Sequence, residues 1–111
     1  MIAFEIRLNG KKLCTAGINA MHGLLESCIS WSKRDLSSLP EENRNVVSAE
    51  DIKITVGGQA RFSPNHYESL KWKGFKLAVG DEVSIKIVET DIIDEPNKRE
   101  AYDPKRARGR N

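Results

Sequence analysis

Ile2, Phe4, Ile6 and Leu8 alternate with Ala3, Glu5, Arg7 and Asn9. A period of two puts one apolar face on a strand, because successive side chains of an extended backbone point to opposite sides. Asn9-Gly10 follows, a pair that tolerates the positive φ angles of a two-residue hairpin turn. The chain therefore opens as a hairpin, and the rest of it must cover the apolar face. With a two-residue turn, Leu8 faces Lys11, Ile6 faces Leu13 and Phe4 faces Thr15. The other set pairs Arg7 with Lys12, Glu5 with Cys14 and Ala3 with Ala16. This register sets Cys14 on the polar face.

Beyond the hairpin the period changes. Met21, Leu24, Leu25, Cys28 and Trp31 recur at three and four, which predicts an amphipathic helix from residue 19 to about 34, with Cys28 and Trp31 in the core. Residues 35–45 have the Ser, Pro, Asn and charge content of a surface loop. Ile52, Ile54 and Val56 predict a third strand ended by a turn at Gly57-Gly58. Ser63-Pro64 has the residues of a helix start, so residues 65–72 are expected to make one or two helical turns. A Gly80-Asp81 turn then leads into a final strand on Val83, Ile85 and Ile87.

At 111 residues the chain has the length of one domain, and 39% hydrophobic residues suffice for a small core. The expected domain spans residues 1–96. Residues 98–111 hold six basic side chains against Glu100 and Asp103, a charge of +4, so residues 1–97 hold −2 of the net +2. Few large apolar groups are available to order residues 97–111, which predicts a charged, mobile tail.

Two strands, a helix, a strand, a short helical segment and a final strand predict an α+β fold. A right-handed crossover leaves the first strand central and sets the last one parallel beside it, one main helix covering a mixed sheet of about four strands. This order resembles the β-grasp, or ubiquitin-like, architecture, and residues 77–87, LAVGDEVSIKI, resemble the turn and last strand of its sulfur-carrier members. The resemblance covers residues 1–90 and implies a carrier or modifier. Those proteins end in an exposed Gly-Gly, whereas this chain ends in Arg110-Asn111. The opening and ending also resemble those of small bacterial proteins, with no function to carry over.

Little in the chain points to catalysis. Cys14, His22, Cys28 and His66 lack the close paired spacing of a zinc site, so no metal and no cofactor are expected. Cys14 faces Glu5 in the expected register, and a carboxylate raises a thiol's pKa rather than activating it. There is no phosphate-binding glycine loop or nucleophile elbow, and we expect a protein that is not an enzyme. No apolar run approaches the ~20 residues of a membrane span, and a basic segment followed by an apolar one is missing at the N-terminus. The expectation is a cytoplasmic protein without a membrane partner.

A binding function remains. The expected open sheet face gathers Arg7, Lys12, Cys14, Lys53 and Lys86, with Ala3, Cys14 and Ala16 as a shallow floor suited to an acidic protein partner. A water-covered face is the ordinary explanation of the same pattern. The sharper reading is a protein–protein interaction module such as an adaptor, inhibitor or immunity-type protein. The alternative is a nucleic-acid-associated accessory protein using the basic tail. Trp31 and Trp72 are expected at the core edge, and His66 and Tyr67 on ordinary surface beside the 57–63 turn, where lining a groove is the sharper alternative.

Overall fold

In the computed structural model, which describes residues 1–43 and 49–105, the chain is built from strands. They are β1 (Ile2–Leu8), β2 (Lys11–Gly17), β3 (His22–Lys33), β4 (Glu50–Ser63), β5 (His66–Lys76), β6 (Val83–Glu89) and β7 (Lys98–Ala101). Helical backbone among the described residues is confined to two single 3-10 turns at Leu36–Ser38 and Glu41–Asn43 and to Pro104 and Lys105 at the end of the described stretch. All pairings are antiparallel, in a three-stranded sheet of order β2-β1-β6 and a four-stranded sheet of order β3-β4-β5-β7. This overturns the α+β, β-grasp and ubiquitin-like expectation. β1 is central in its sheet, but the last long strand, β6, runs antiparallel to it.

The hairpin forms where its turn residues place it: Asn9 and Gly10 have φ of 52° and 82°. Asn9 also ties this turn to the next one. Its Nδ2 donates to Asp81 Oδ1 at 3.0 Å, while its Oδ1 accepts from the Glu82 amide at 2.9 Å. The register, however, breaks between Ile6 and Arg7. Leu8 and Arg7 face Lys11 and Lys12 as expected, then a bulge sets Ile6 opposite Cys14, Glu5 opposite Thr15 and Phe4 opposite Ala16. One extra residue in β2 moves every later side chain to the other face. Cys14 is consequently 7% exposed, inside the core.

The main correction concerns β3. Its apolar residues fall on both faces, Leu25, Ile29 and Trp31 with one and Leu24 and Cys28 with the other, and together they imitate a helical period. Ser27, Ser30, Ser32 and β-branched Ile29 favour helix only weakly, and the chain extends along β4 for twelve consecutive pairs. The second expected helix is likewise β5, since Pro64-Asn65 is a turn and Ser63 pairs with His66. Gly57-Gly58 lies inside β4. A Cβ on Gly58 would overlap the Leu24 carbonyl oxygen, and one on Gly57 would come within 2.8 Å of the Leu70 carbonyl oxygen.

The core lies between the sheets, with Ile6, Cys14 and Ala16 from one against Ile54, Val56, Ala60, Leu70 and Trp72 from the other. Residues 90–94 clasp the two layers. The Asp94 amide donates to the Thr15 carbonyl at 2.9 Å, the Thr15 amide donates to Asp94 Oδ2 at 2.8 Å, and Trp72 Nε1 donates to the Asp94 carbonyl at 2.8 Å. Asp94 thereby covers the outer edge of β2. The layers overlap only in part: the radius of gyration is 17.0 Å, against roughly 13 Å for a compact chain of this length. Ile85 and Ile87 lie opposite Ile6 and Phe4 yet remain exposed.

Candidate functional site

The five residues expected on one face are divided by the fold. Arg7 lies opposite Lys12 and Ser84, and Lys86 lies opposite Glu5, so Arg7, Lys12 and Lys86 do share the outer face of the three-stranded sheet. Arg7 is engaged there, with Nη2 2.9 Å from Glu5 Oε1 and Nη1 donating to the Gly10 carbonyl at 3.3 Å. Cys14 is buried on the other side, and Lys53 belongs to β4 in the other sheet. The expected floor is missing as well: Ala16 is in the core, and Ala3 is fully buried opposite Gly17, where the Met1 and Ile93 side chains also lie.

The edge of β3 presents a different surface. The Arg34 amide donates to the Ala49 carbonyl, one step beyond the Lys33–Glu50 pair. Antiparallel ladders alternate between bonded and non-bonded pairs, so the even residues of β3 bond to β4 and the odd ones turn their amides and carbonyls outward. Gly23, Leu25, Ser27, Ile29, Trp31 and Lys33 make up this free row. β3 ends its sheet, and among the described residues no backbone partner lies along the row. Ile29 and Trp31 are 54% and 61% exposed, and the Ser27 Oγ is enclosed without a hydrogen-bond partner. Sequence reasoning missed this site because a strand was read as a helix. The run of serines was the signal against that reading.

The other edges are less inviting. β2 is covered by Asp94, β7 has only four residues, and β6 has seven with Lys86 and Glu89 among them. The segment expected to begin the mobile tail pairs as β7 with β5, while residues 106–111 lie outside the described residues.

On the outer face of the four-stranded sheet, cross-strand partners form rows. Glu26, Gly57, Lys71 and Lys98 make one row; Leu24, Gln59, Ser69 and Glu100 the next; His22, Arg61 and Tyr67 the third, which Tyr102 extends by donating its amide to the Tyr67 carbonyl at 3.1 Å. The missing side chain at Gly57 leaves a hollow of about 500 Å³ between Glu26, Cys28 and Lys71. A second, of about 320 Å³, is lined by His22, Leu24, Gln59, Arg61, Tyr67 and Tyr102.

Neither hollow holds a catalytic pair. The exposed Cys28 thiol makes one weak contact, to the Ile29 carbonyl at 3.8 Å. Burial, and secondarily Asp94, pushes the Cys14 thiol above its usual value, with Lys12 opposing weakly. His66 points to Glu68 instead of a groove: its Nε2 lies 2.7 Å from Glu68 Oε2, and Arg99 Nε donates to Glu68 Oε1 at 2.9 Å. The His66 contact first and Arg99 second hold the Glu68 carboxyl below its usual range, so this carboxylate ties β5 to β7. Among the described residues no group of three or more His, Cys, Asp or Glu is placed to hold a metal ion.

Fold and surface together define an all-β protein of two antiparallel sheets, with one long edge strand that has no outer backbone partner among the described residues. No family model matches the chain, and no curated protein or solved structure matches it at a significant level.

Proposed function

We propose that this chain is a non-enzymatic protein–protein interaction module that takes an extended segment of a partner along β3. The observation that carries the reading is an edge with no covering partner among the described residues: twelve residues paired with β4 without a bulge or proline. Soluble proteins blunt such edges with proline, bulges, charge or a covering loop, because a free row of amides and carbonyls templates another strand. β3 has only Glu26, Lys33 and His22 against Leu24, Leu25, Ile29 and Trp31. A partner strand would bond to the odd residues and rest its side chains beside Ile29 and Trp31, the mode of β-augmentation.

The test is a pull-down from the source cells with mass spectrometry, repeated with Ser27→Pro, and light scattering of the purified protein. A partner captured by the wild type and lost with Ser27→Pro supports the reading. A partner retained by that variant moves the interface elsewhere. Self-association lost in the same variant identifies a second copy as the partner strand.

A further inference from the structure

Arg61, Tyr67 and Tyr102 stand together on the outer face of the four-stranded sheet, around a hollow that the start of β3 also lines, and the reading above does not use them. The Arg61 guanidinium lies 5.3 Å from the centre of the Tyr67 ring, and the rings of Tyr67 and Tyr102 are 5.8 Å apart. Arg61 Nη2 donates to the Pro64 carbonyl at 3.2 Å, while its Nε is enclosed and has no partner among the described residues. A guanidinium carries five donors; with Nε enclosed and one Nη2 hydrogen given to Pro64, the remaining three, on Nη1 and Nη2, are the ones an acceptor can use. Two aromatic rings and a held Arg around a 320 Å³ hollow suit a planar base beside a phosphate.

The face continues this chemistry. Lys71 and Lys98 occupy the row of Gly57, and Lys53 lies opposite Lys76 further along β4 and β5. With Arg61 these are five cations against Glu26 and Glu100 on the same rows. Four of the five are Lys, a residue depleted from protein interfaces and well suited to phosphate contacts, which favours a polyanion over a protein here.

The spacing selects the form of that polyanion. Same-face rows along a strand lie about 6.8 Å apart, twice the ~3.4 Å rise per nucleotide of a duplex strand. A chain following the rows is unstacked, with base faces open to tyrosine rings.

We infer that the outer face of the β3-β4-β5-β7 sheet binds single-stranded nucleic acid, with Tyr67 and Tyr102 as base platforms and Arg61, Lys71 and Lys98 as phosphate contacts. The experiment is fluorescence anisotropy of fluorescein-labelled (dT)20 with the full chain at 50 and 200 mM NaCl, with the 20-base-pair duplex as comparison and melting curves for every variant. Expected is micromolar binding at 50 mM that weakens with salt, and weaker binding of the duplex. Tyr102→Ala should cost about tenfold and Tyr102→Phe little, since stacking needs the ring and not the hydroxyl. Replacing Lys71 and Lys98 together with Glu should cost at least tenfold and flatten the salt slope by roughly 1.4, about 0.7 per phosphate. Ser27→Pro should leave this binding intact, which separates it from the β3 reading. No binding at 100 µM protein overturns the inference. So does equal affinity for duplex, or a loss seen only when Arg106, Arg108 and Arg110 are replaced. Capture of an acidic protein that depends on Lys71 and Lys98, without (dT)20 binding, would give the face to a protein partner instead.

Discussion

Proline placed at two adjacent positions of β3 separates its two edges. Cys28 turns its amide toward Thr55 and Ser27 turns its amide outward, as the Arg34–Ala49 bond and the ladder alternation require. Cys28→Pro removes an internal donor and leaves the Thr55 carbonyl without its ladder partner, at about 2 kcal/mol. For a domain near this size that lowers the melting temperature by roughly 8–16 °C. Ser27→Pro removes a donor that has no partner among the described residues, where the Ser27 Oγ likewise has none to lose. Its backbone is already extended, as is that of Glu26 before it, so the stability should stay within about 1 kcal/mol of the wild type. Partner binding should invert the order of damage. Ser27→Pro loses one edge hydrogen bond and sets a ring against the incoming strand, at least tenfold in affinity, ~1.4 kcal/mol. The assay is thermal unfolding followed by circular dichroism, then titration with the captured partner. Equal destabilisation by both prolines, or greater loss with Ser27→Pro, would refute the assignment of the free row.

Other consequences follow from single residues. In the native protein a disulfide-exchange reagent should label Cys28 at once and Cys14 only on unfolding or at raised pH, as burial holds the Cys14 thiol above its usual value. Because that thiol resists ionisation only when folded, stability should fall as pH rises through about 9, and Cys14→Ser should flatten this decline. Glu68 has the opposite sign: its folded pKa lies below the usual value of 4.5, so its contribution is complete above that pH and is lost as pH falls through the folded value. Glu68→Gln should reduce the acid sensitivity of urea midpoints. Gly58→Ala should cost on the order of 2–3 kcal/mol in urea unfolding, since its Cβ has no room beside the Leu24 carbonyl. Iodide should quench Trp31 and spare Trp72, which is 4% exposed; equal quenching of both would contradict the layer assignment.

Features set by neighbours in sequence were legible before the fold was. Asn9-Gly10 defines its turn locally, and the strands through Ile54 and Ile85 follow from clean alternation. Trp72 lies in the core, as its spacing from Leu70 suggests. Features set by long-range packing were not legible. The bulge that inverts Cys14 lies where β2 meets Asp94, a residue eighty positions away, and no local residue type marks it. β3 misled because an edge strand with half-covered apolar side chains on both faces carries no period of two. Gly57-Gly58 reads as a turn in sequence, although close approach to β3 and β5 is what requires small residues there. The candidate site lies on those misread stretches. Arg7, Lys12 and Lys86 share the outer face of the three-stranded sheet, while the bulge and the second sheet separate Cys14 and Lys53 from them.

Amide hydrogen exchange along β3, read by NMR with and without the partner, tests the central claim most directly. In the free chain the amides of Gly23, Leu25, Ser27, Ile29 and Trp31 should exchange fast while those of Leu24, Glu26, Cys28 and Ser30, bonded to β4, are protected. On saturation with the partner the odd amides should join the protected set and the even ones should change little. Protection of the odd amides in the isolated monomer, or an odd row still fast in the complex, would contradict a partner strand along β3.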